Sequence, residues 1–483
     1  MIDLRPIAAV LGVLLAILGT TMMIPALVDL AAGQSDFLVY IVACAVTVFV
    51  GLSLWLAGRS GGVERLDLRQ TFLLTAASWV VLSAFAAIPF MWAQTRLSFA
   101  DAYFEAVSGL TTTGATVISG LDTRPPGILI WRAFLHWYGG IGIIVFAIAF
   151  LPMLQIGGMQ LFRAESSDKS EKMLPRAAQM AKGILGTYLL LSFACAITYA
   201  ACGMSVFDAV AHAMATISTG GFSTHDASIG FFKSAAIDYA AIVFMLAGSL
   251  PFVLYVRVLA GDFSRLVANT EVRLFLGLIA LFTFISFLQQ VLAGIDRGEP
   301  ALRDALFNVV SLMSTTGFVG DDYSKWGAPT EMLYFMIMFL GGCTGSTSGG
   351  AKTFRLAIVG SALVQHLKRL IYPNGVFPVR YGGSPVPSEV VGSVLSFVFL
   401  YLGSFLVLGL AINALGFDLA TALSAAVTAI GNVGPGLGPL VGPASNFAGM
   451  PDSVIWLLSF GMLLGRLELF TVLVLFLPRF WMR

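Results

Sequence analysis

Four short stretches of the chain carry one pattern. They read FEAVSGLTTTG from Phe104 to Gly114, AHAMATISTGG from Ala211 to Gly221, FNVVSLMSTTG from Phe307 to Gly317, and SAAVTAIGNVG from Ser424 to Gly434. Each is an apolar helical stretch that runs into small or polar residues and closes on a glycine. The closing residues are Thr112, Thr113 and Gly114; Gly220 and Gly221; Thr315, Thr316 and Gly317; and Asn432, Val433 and Gly434. Glycine reaches backbone conformations that other residues avoid. Thr and Ser do not titrate, so they line a path without trapping protons. Four such loops round one axis would aim backbone carbonyls inward, and a carbonyl ring replaces the hydration shell of a cation. Each helix would bring its C-terminus, worth roughly −0.5 of a charge, to the same place. A single Gly-rich loop is ordinarily a turn or a close helix contact; four matched copies point to ion chemistry.

Two further features could act on an ion. GGCTGSTSGG, Gly341 to Gly350, has five glycines in ten residues, with Thr344, Ser346, Thr347 and Ser348 between them and Lys352 and Arg355 just beyond. Each Gly costs about 1 kcal/mol against Ala inside a helix. The long apolar run around it should therefore break into a polar intramembrane loop, centred on Gly345, Ser346, Thr347, Ser348 and Gly349. A hinge with no ion contact is the plainer alternative. Arg466 lies deep in the last apolar run, where a charge costs roughly 2.5–3.5 kcal/mol on insertion scales, so it should face an aqueous cavity or a partner. Glu468 is two residues on and about 200° round the helix, so the two do not pair naturally. Arg132 lies near the end of its run and could be buried or snorkel.

Other chemistries find little support. The four cysteines and four histidines are scattered, without metal-ligand spacing. Within the apolar runs there is no HExxH, no Gly-x-Ser-x-Gly and no paired acids, so an intramembrane enzyme is not expected. Arg/Lys ladders of a voltage sensor are also missing. A net charge of +1 offers no general attraction to nucleic acid.

The elements that must position these residues are membrane spans. Of the 483 residues, 58% are hydrophobic and 11% charged, against about 25% charged in soluble domains. Mean hydropathy is +0.89. Ten runs reach the length of about 20 residues that a span needs: 7–30, 37–57, 71–94, 127–155, 183–203, 234–260, 272–293, 330–370, 388–415 and 453–477. The four patterned segments, at 98–120, 205–226, 301–320 and 417–440, are too short to cross and should enter halfway and return. Ser98/Asp101 and Ser205/Asp208 have capping-box spacing at two of their starts. Asp101, Asp208 and Asp304 each precede their closing glycine by 13 residues; in the fourth segment Asp418 stands 16 before Gly434.

With the N-terminus inside and the short segments re-entrant, the inner loops carry 19 of the 27 Lys and Arg, and the outer side carries 16 of the 26 acids. That bias puts both termini in the cytoplasm, and the negative outer face concentrates cations. The fold expected is all-α and polytopic: four pseudo-symmetric units of span, half-helix, Gly loop and span around a central pore, after an N-terminal helix pair. The divisions are 1–70, 71–155, 156–260, 261–380 and 381–483.

The four loops, with GGIGII (Gly139 to Ile144), GGCTGSTSGGAKTFR (Gly341 to Arg355), GNVGPGLG (Gly431 to Gly438) and GRLELF (Gly465 to Phe470), resemble the TrkH branch of the TrkH/KtrB/HKT superfamily over essentially the whole chain. The resemblance implies a potassium-translocating subunit of a bacterial inner membrane, homodimeric, with one pore per protomer. It implies K⁺ bound in the pore, no covalent cofactor, and a cytosolic ring of nucleotide-binding TrkA-like regulatory subunits. It makes Gly114, Gly221, Gly317 and Gly434 the filter glycines, 341–350 the gating loop, and Arg466 a pore-facing residue below the filter. Glycine at all four positions favours potassium, with Rb⁺ accepted. Val433 and Pro435 make the fourth loop unlike the third, so some Na⁺ leak is expected. The chain has no nucleotide-binding motif of its own, so such control would come from the partner, with the basic stretches 163–182 and 352–380 as docking surfaces for it or for anionic lipid. A symporter using the same site with a coupling ion is the other reading.

Overall fold

A computed structural model describes residues 2–61, 66–149 and 173–482. The end of the run expected at 127–155, and most of the basic 156–182 loop, lie outside the described residues. Among the described residues the fold is mainly helical, and the strands form one short hairpin in which Arg380–Tyr381 pairs antiparallel with Ser384–Pro385. Gly382 and Gly383, at φ 56° and 83°, make its turn.

The chain is a multi-pass membrane protein. Among the described residues seven helices are long and apolar enough to cross a bilayer: Arg5–Ala31, Phe37–Gly58, Leu68–Trp92, Pro126–Ile144, Gln179–Ala201, Thr270–Ala293 and Ser388–Ala414. Two runs expected as single spans are bent instead. Ala235–Ser249 meets Phe252–Leu259 at 97°, and Asp452–Arg466 meets Phe470–Phe476 at 110°. Pro251, which has no N–H to continue the first helix, sits at the first bend. Glu468 and Leu469, at φ 59° and 48°, make the second. The run expected at 330–370 breaks as anticipated, into Ala328–Ile337, an irregular polar stretch, and Thr353–Ile371.

The four re-entrant half-helices are Phe99–Leu110, Val206–Ile217, Gly298–Met313 and Leu419–Gly431. Ser98 and Ser205 cap the first two, accepting the Asp101 and Asp208 amide protons at 3.1 Å. The boxes do not close as expected: the Ser hydroxyls themselves donate to the Asp carboxylates, at 3.0 and 2.7 Å. Asp418 is the N-cap of the fourth half-helix, accepting from the Thr421 amide at 2.9 Å. Sixteen residues before the closing glycine is the capping place, held by Ser98, Ser205 and Asp418, so the odd spacing of the fourth acid is a cap in register.

The half-helices are arranged cyclically. The first packs on Leu68–Ala86, Pro126–Ala149 and Asp452–Arg466; the second on Met173–Ala201, Pro126–Ala149 and Ala235–Ser249; the third on Thr270–Ala293, Ala235–Ser249 and Ala328–Ile337. The fourth packs on Ser388–Ala414 and Asp452–Arg466, and its end meets the third repeat, where a Cβ on Gly431 would lie 2.8 Å from the Met338 carbonyl oxygen. Each half-helix thus touches the repeat before it as well as its own. The N-terminal pair crosses closely through small residues: a Cβ on Gly12 would lie 2.4 Å from the Gly51 carbonyl oxygen. Asp29 ties this pair to repeat 1 by accepting the Gly127 amide at 2.6 Å.

Candidate functional site

The ends of the four half-helices share one backbone conformation. Two residues before each closing glycine the chain turns left-handed, at Thr112, Thr219, Thr315 and Asn432 (φ 51° to 57°). Gly114, Gly221, Gly317 and Gly434 follow with φ of 85°, 80°, 75° and 111°. Non-glycine residues rarely sit there, and Asn432 is among the types that tolerate it best.

The four glycines form a closed ring. A Cβ on Gly114 would lie 2.2 Å from the Gly220 carbonyl oxygen, one on Gly221 would lie 1.9 Å from that of Thr316, one on Gly317 would lie 2.0 Å from that of Val433, and one on Gly434 would lie 2.7 Å from that of Thr113. Each glycine abuts the carbonyl that precedes the next repeat's glycine, and the fourth returns to the first. Thr112, Thr113, Thr219, Thr315, Thr316, Asn432 and Val433 are all buried here. Thr111 and Thr113 bond through their hydroxyls at 2.7 Å, as Ser314 and Thr316 do at the same places of repeat 3. Asn432 Nδ2 donates to Thr113 Oγ1 at 2.9 Å, closing repeat 4 on repeat 1.

On one side of the ring a cavity opens, lined by the four glycines and by residues after them, including Thr116, Phe222, Val319 and Pro435. His225 and Asp226 stand at it too. The His225 imidazole, 2.6 Å from Asp122, holds that carboxyl below the ordinary carboxylate range.

The 341–350 stretch is on the other side, bonded to the half-helix ends. Thr347 Oγ1 is 3.0 Å from the Ile217 carbonyl oxygen and 2.9 Å from that of Gly248. Thr219 Oγ1 is 3.1 Å from Thr347 Oγ1. The Gly349 amide donates to Thr315 Oγ1 at 2.7 Å, and the Gly350 amide to the Gly431 carbonyl at 2.9 Å. The stretch therefore spans beneath repeats 2, 3 and 4. Lys352 Nζ donates back to the Ser348 carbonyl. Arg466, 3% exposed, donates from Nη1 to the Thr347 carbonyl at 2.9 Å. Its Nε and Nη2 have no partner among the described residues. The residues expected as the filter stand at the ring, Gly345 to Gly349 lie within this stretch with Lys352 just beyond it, and Arg466 joins the stretch directly.

Several pairings are not legible in the sequence. Glu271, fully buried, accepts from the Thr344 amide (2.8 Å), the Thr344 hydroxyl (3.0 Å) and the Phe354 amide (3.1 Å), fastening the polar stretch near both ends. Glu468 pairs with Arg355, whose guanidinium lies 3.6 Å over Phe397. Arg132 does not snorkel; it is buried and paired with Glu105 at 2.8 Å. The visible signals were acids inside apolar segments; their partners lie too far along the chain to be read from spacing.

A family model described as TrkH, cation transport protein, matches residues 33–482. The Trk system potassium uptake protein TrkI of Halomonas elongata is 42% identical over 480 residues, covering 99% of this chain and 96% of that protein. The Trk system potassium uptake protein TrkH of Escherichia coli is 40% identical over 489 residues, covering 99% of both chains. The crystal structure of the potassium transporter TrkH from Vibrio parahaemolyticus superposes with a TM-score of 0.92 at 38% identity, covering 99% of this chain and all of that one.

Proposed function

The chain belongs to the TrkH family of cation transport proteins, and on that premise we propose that it carries potassium into the cell through the glycine ring. The observation that carries this reading is the closure of the ring. Four backbone loops meet head to tail, and each presents a carbonyl beside the preceding loop's glycine. Carbonyls so gathered take the place of water around a dehydrated monovalent cation. The filter then comprises Thr112, Thr113, Gly114, Gly220, Gly221, Thr315, Thr316, Gly317, Asn432, Val433 and Gly434. Rb⁺ passes as well, and some Na⁺, because the fourth loop differs from the others.

The 341–350 stretch is the gate on this reading. It lies across the half-helix ends, and Arg466 holds it at Thr347 while adding a positive charge to the path. Gly345, Ser346, Thr347, Ser348, Gly349 and Lys352 make up the moving part. The protein works in a bacterial inner membrane with both termini in the cytoplasm, as a homodimer among membrane lipids. A cytosolic nucleotide-binding subunit of the TrkA kind opens the gate; the named relatives are parts of Trk systems. No coupling ion is required, since 100 mV across the membrane is worth about 2.3 kcal/mol per charge.

The test is K⁺ uptake by a transport-deficient bacterium expressing the chain. Wild type should restore growth at low K⁺, and Gly221→Asp, inserted at equal level, should not. Equal rescue by both would overturn the assignment of the ring.

A further inference from the structure

Just beyond the first two ring glycines, buried polar side chains tie two loops to one helix. Glu105 and Arg132, 0% and 1% exposed, pair between Oε1 and Nε. Glu105 Oε2 accepts the Val117 amide proton at 2.9 Å, and its carboxylate accepts from the Thr116 hydroxyl at 2.9 Å. Arg132 Nη2 reaches Thr116 Oγ1 at 3.2 Å, and Nη1 donates to the Ser223 carbonyl at 2.7 Å. Thr116 and Ser223 each stand two residues past a ring glycine. One ion pair therefore holds the backbone of loop 1 and loop 2 at the same height.

The same helix face grips loop 2 more widely. The Arg132 guanidinium lies 4.0 Å from the centre of the Phe222 ring. His136, four residues on and so on the same helix face, stacks on Phe222 at 4.0 Å and 11°, and its Nδ1 accepts the Phe222 amide at 3.3 Å. The tie is confined to half of the ring. His212 stands in repeat 2 where Glu105 stands in repeat 1, and its Nε2 lies 3.0 Å from Ser223 Oγ. Repeat 3 has Val319, and repeat 4 Gly436, at the place of Thr116 and Ser223.

A buried ion pair is a poor device for stability, since a well-packed apolar substitute is often as good or better. Its use lies in geometry. All the remaining bonds of this pair run to the segments that follow Gly114 and Gly221. We propose that Glu105 and Arg132 are positioning residues that set the discrimination of K⁺ from Na⁺, by holding the carbonyls of loops 1 and 2 at the spacing suited to the larger ion. With the tie released, these two loops can close on a smaller cation. The proposal rests on the ring being the potassium path.

The test is the bi-ionic reversal potential of full-length protein reconstituted in lipid, K⁺ on one side and Na⁺ on the other. Glu105→Gln and Arg132→Lys should raise the Na⁺/K⁺ permeability ratio about fivefold or more, since selectivity depends on the number and field strength of the coordinating carbonyls. Thr116→Val should shift it the same way by less. Glu105→Gln with Arg132→Met removes both charges, leaves none stranded, and should insert like wild type while still leaking Na⁺. A purely structural pair would change the amount of folded protein and leave the ratio alone. Inserted variants with the wild-type ratio would overturn the proposal; if the single variants do not insert, an unchanged ratio in Thr116→Val and the double variant does so. A wild-type protein that itself fails to prefer K⁺ would sink the ring assignment instead.

Discussion

Gly221 and Gly317 are the tightest points of the ring, where any Cβ would meet a neighbouring carbonyl oxygen at 1.9 and 2.0 Å. Both also sit at positive φ, so a side chain there is strained as well as crowded. Gly221→Asp or Gly317→Asp should abolish K⁺ uptake, measured as Rb⁺ influx per inserted molecule. Gly114→Ser should act differently: its Cβ presses on the Gly220 carbonyl at 2.2 Å and shifts that one acceptor, so flux should persist with a raised Na⁺ permeability. Arg466 makes an opposite prediction. A fixed positive charge about 4 Å from a passing ion, at an effective dielectric of about 20, repels it by roughly 4 kcal/mol. Water and carbonyls leave about 1–2 kcal/mol of that, a factor of about five to thirty in rate. Arg466→Ala should raise flux per molecule by that order with selectivity nearly unchanged; reduced flux would mean that the arginine is structural. The ring glycines and Arg466 were legible because repetition, and a charge in an apolar run, show in one dimension. The Arg132–Glu105 and Arg355–Glu468 pairs were not, because their members are 27 and 113 residues apart and only the fold brings them together.

At the scale of elements, hydropathy located the apolar runs but could not show their shape. Ala235–Leu259 and Asp452–Phe476 read as plain spans because a bend needs only one or two residues, here Pro251 and the pair Glu468–Leu469 with positive φ, and these barely alter a window average. The 341–350 break was legible because five glycines and four hydroxyl residues are too many for a membrane helix to carry. What it bonds to was not. Thr347, Gly349 and Gly350 fasten the stretch to the ends of three half-helices, and Glu271 fastens it at Thr344 and Phe354. Removing Gly345–Gly349 takes out the bonds of Thr347 and Gly349 and leaves that of Gly350 and those to Glu271. The deletion should give a protein that passes K⁺ in liposomes without any regulatory subunit. A correctly inserted deletion variant that stayed closed would reduce the stretch to a hinge.

The whole molecule is a cycle built from a line. Four copies of one unit follow each other along the chain, each half-helix leans on the preceding repeat, and the last glycine returns to the first loop. The repetition was legible in the sequence, and with it the fold; the cyclic order is a property of packing alone. The charge asymmetry of the loops predicts both ends of the chain inside the cell. A phosphatase fused after Arg483 should therefore be inactive, while the same enzyme in the outer loop near Asp296 should be active; activity at the C-terminus would invert the topology. Passage of K⁺ down its own gradient through the ring is what the proposed function requires. It is tested most directly by the reversal potential of the reconstituted protein in a K⁺ gradient, with pH and Na⁺ gradients imposed in turn. Reversal should lie close to the potassium potential, moving about 59 mV per tenfold K⁺ ratio for one charge, unmoved by the pH gradient and moved only slightly by Na⁺. A reversal potential that follows the proton gradient, or follows Na⁺ with a fixed coupling ratio, would contradict it.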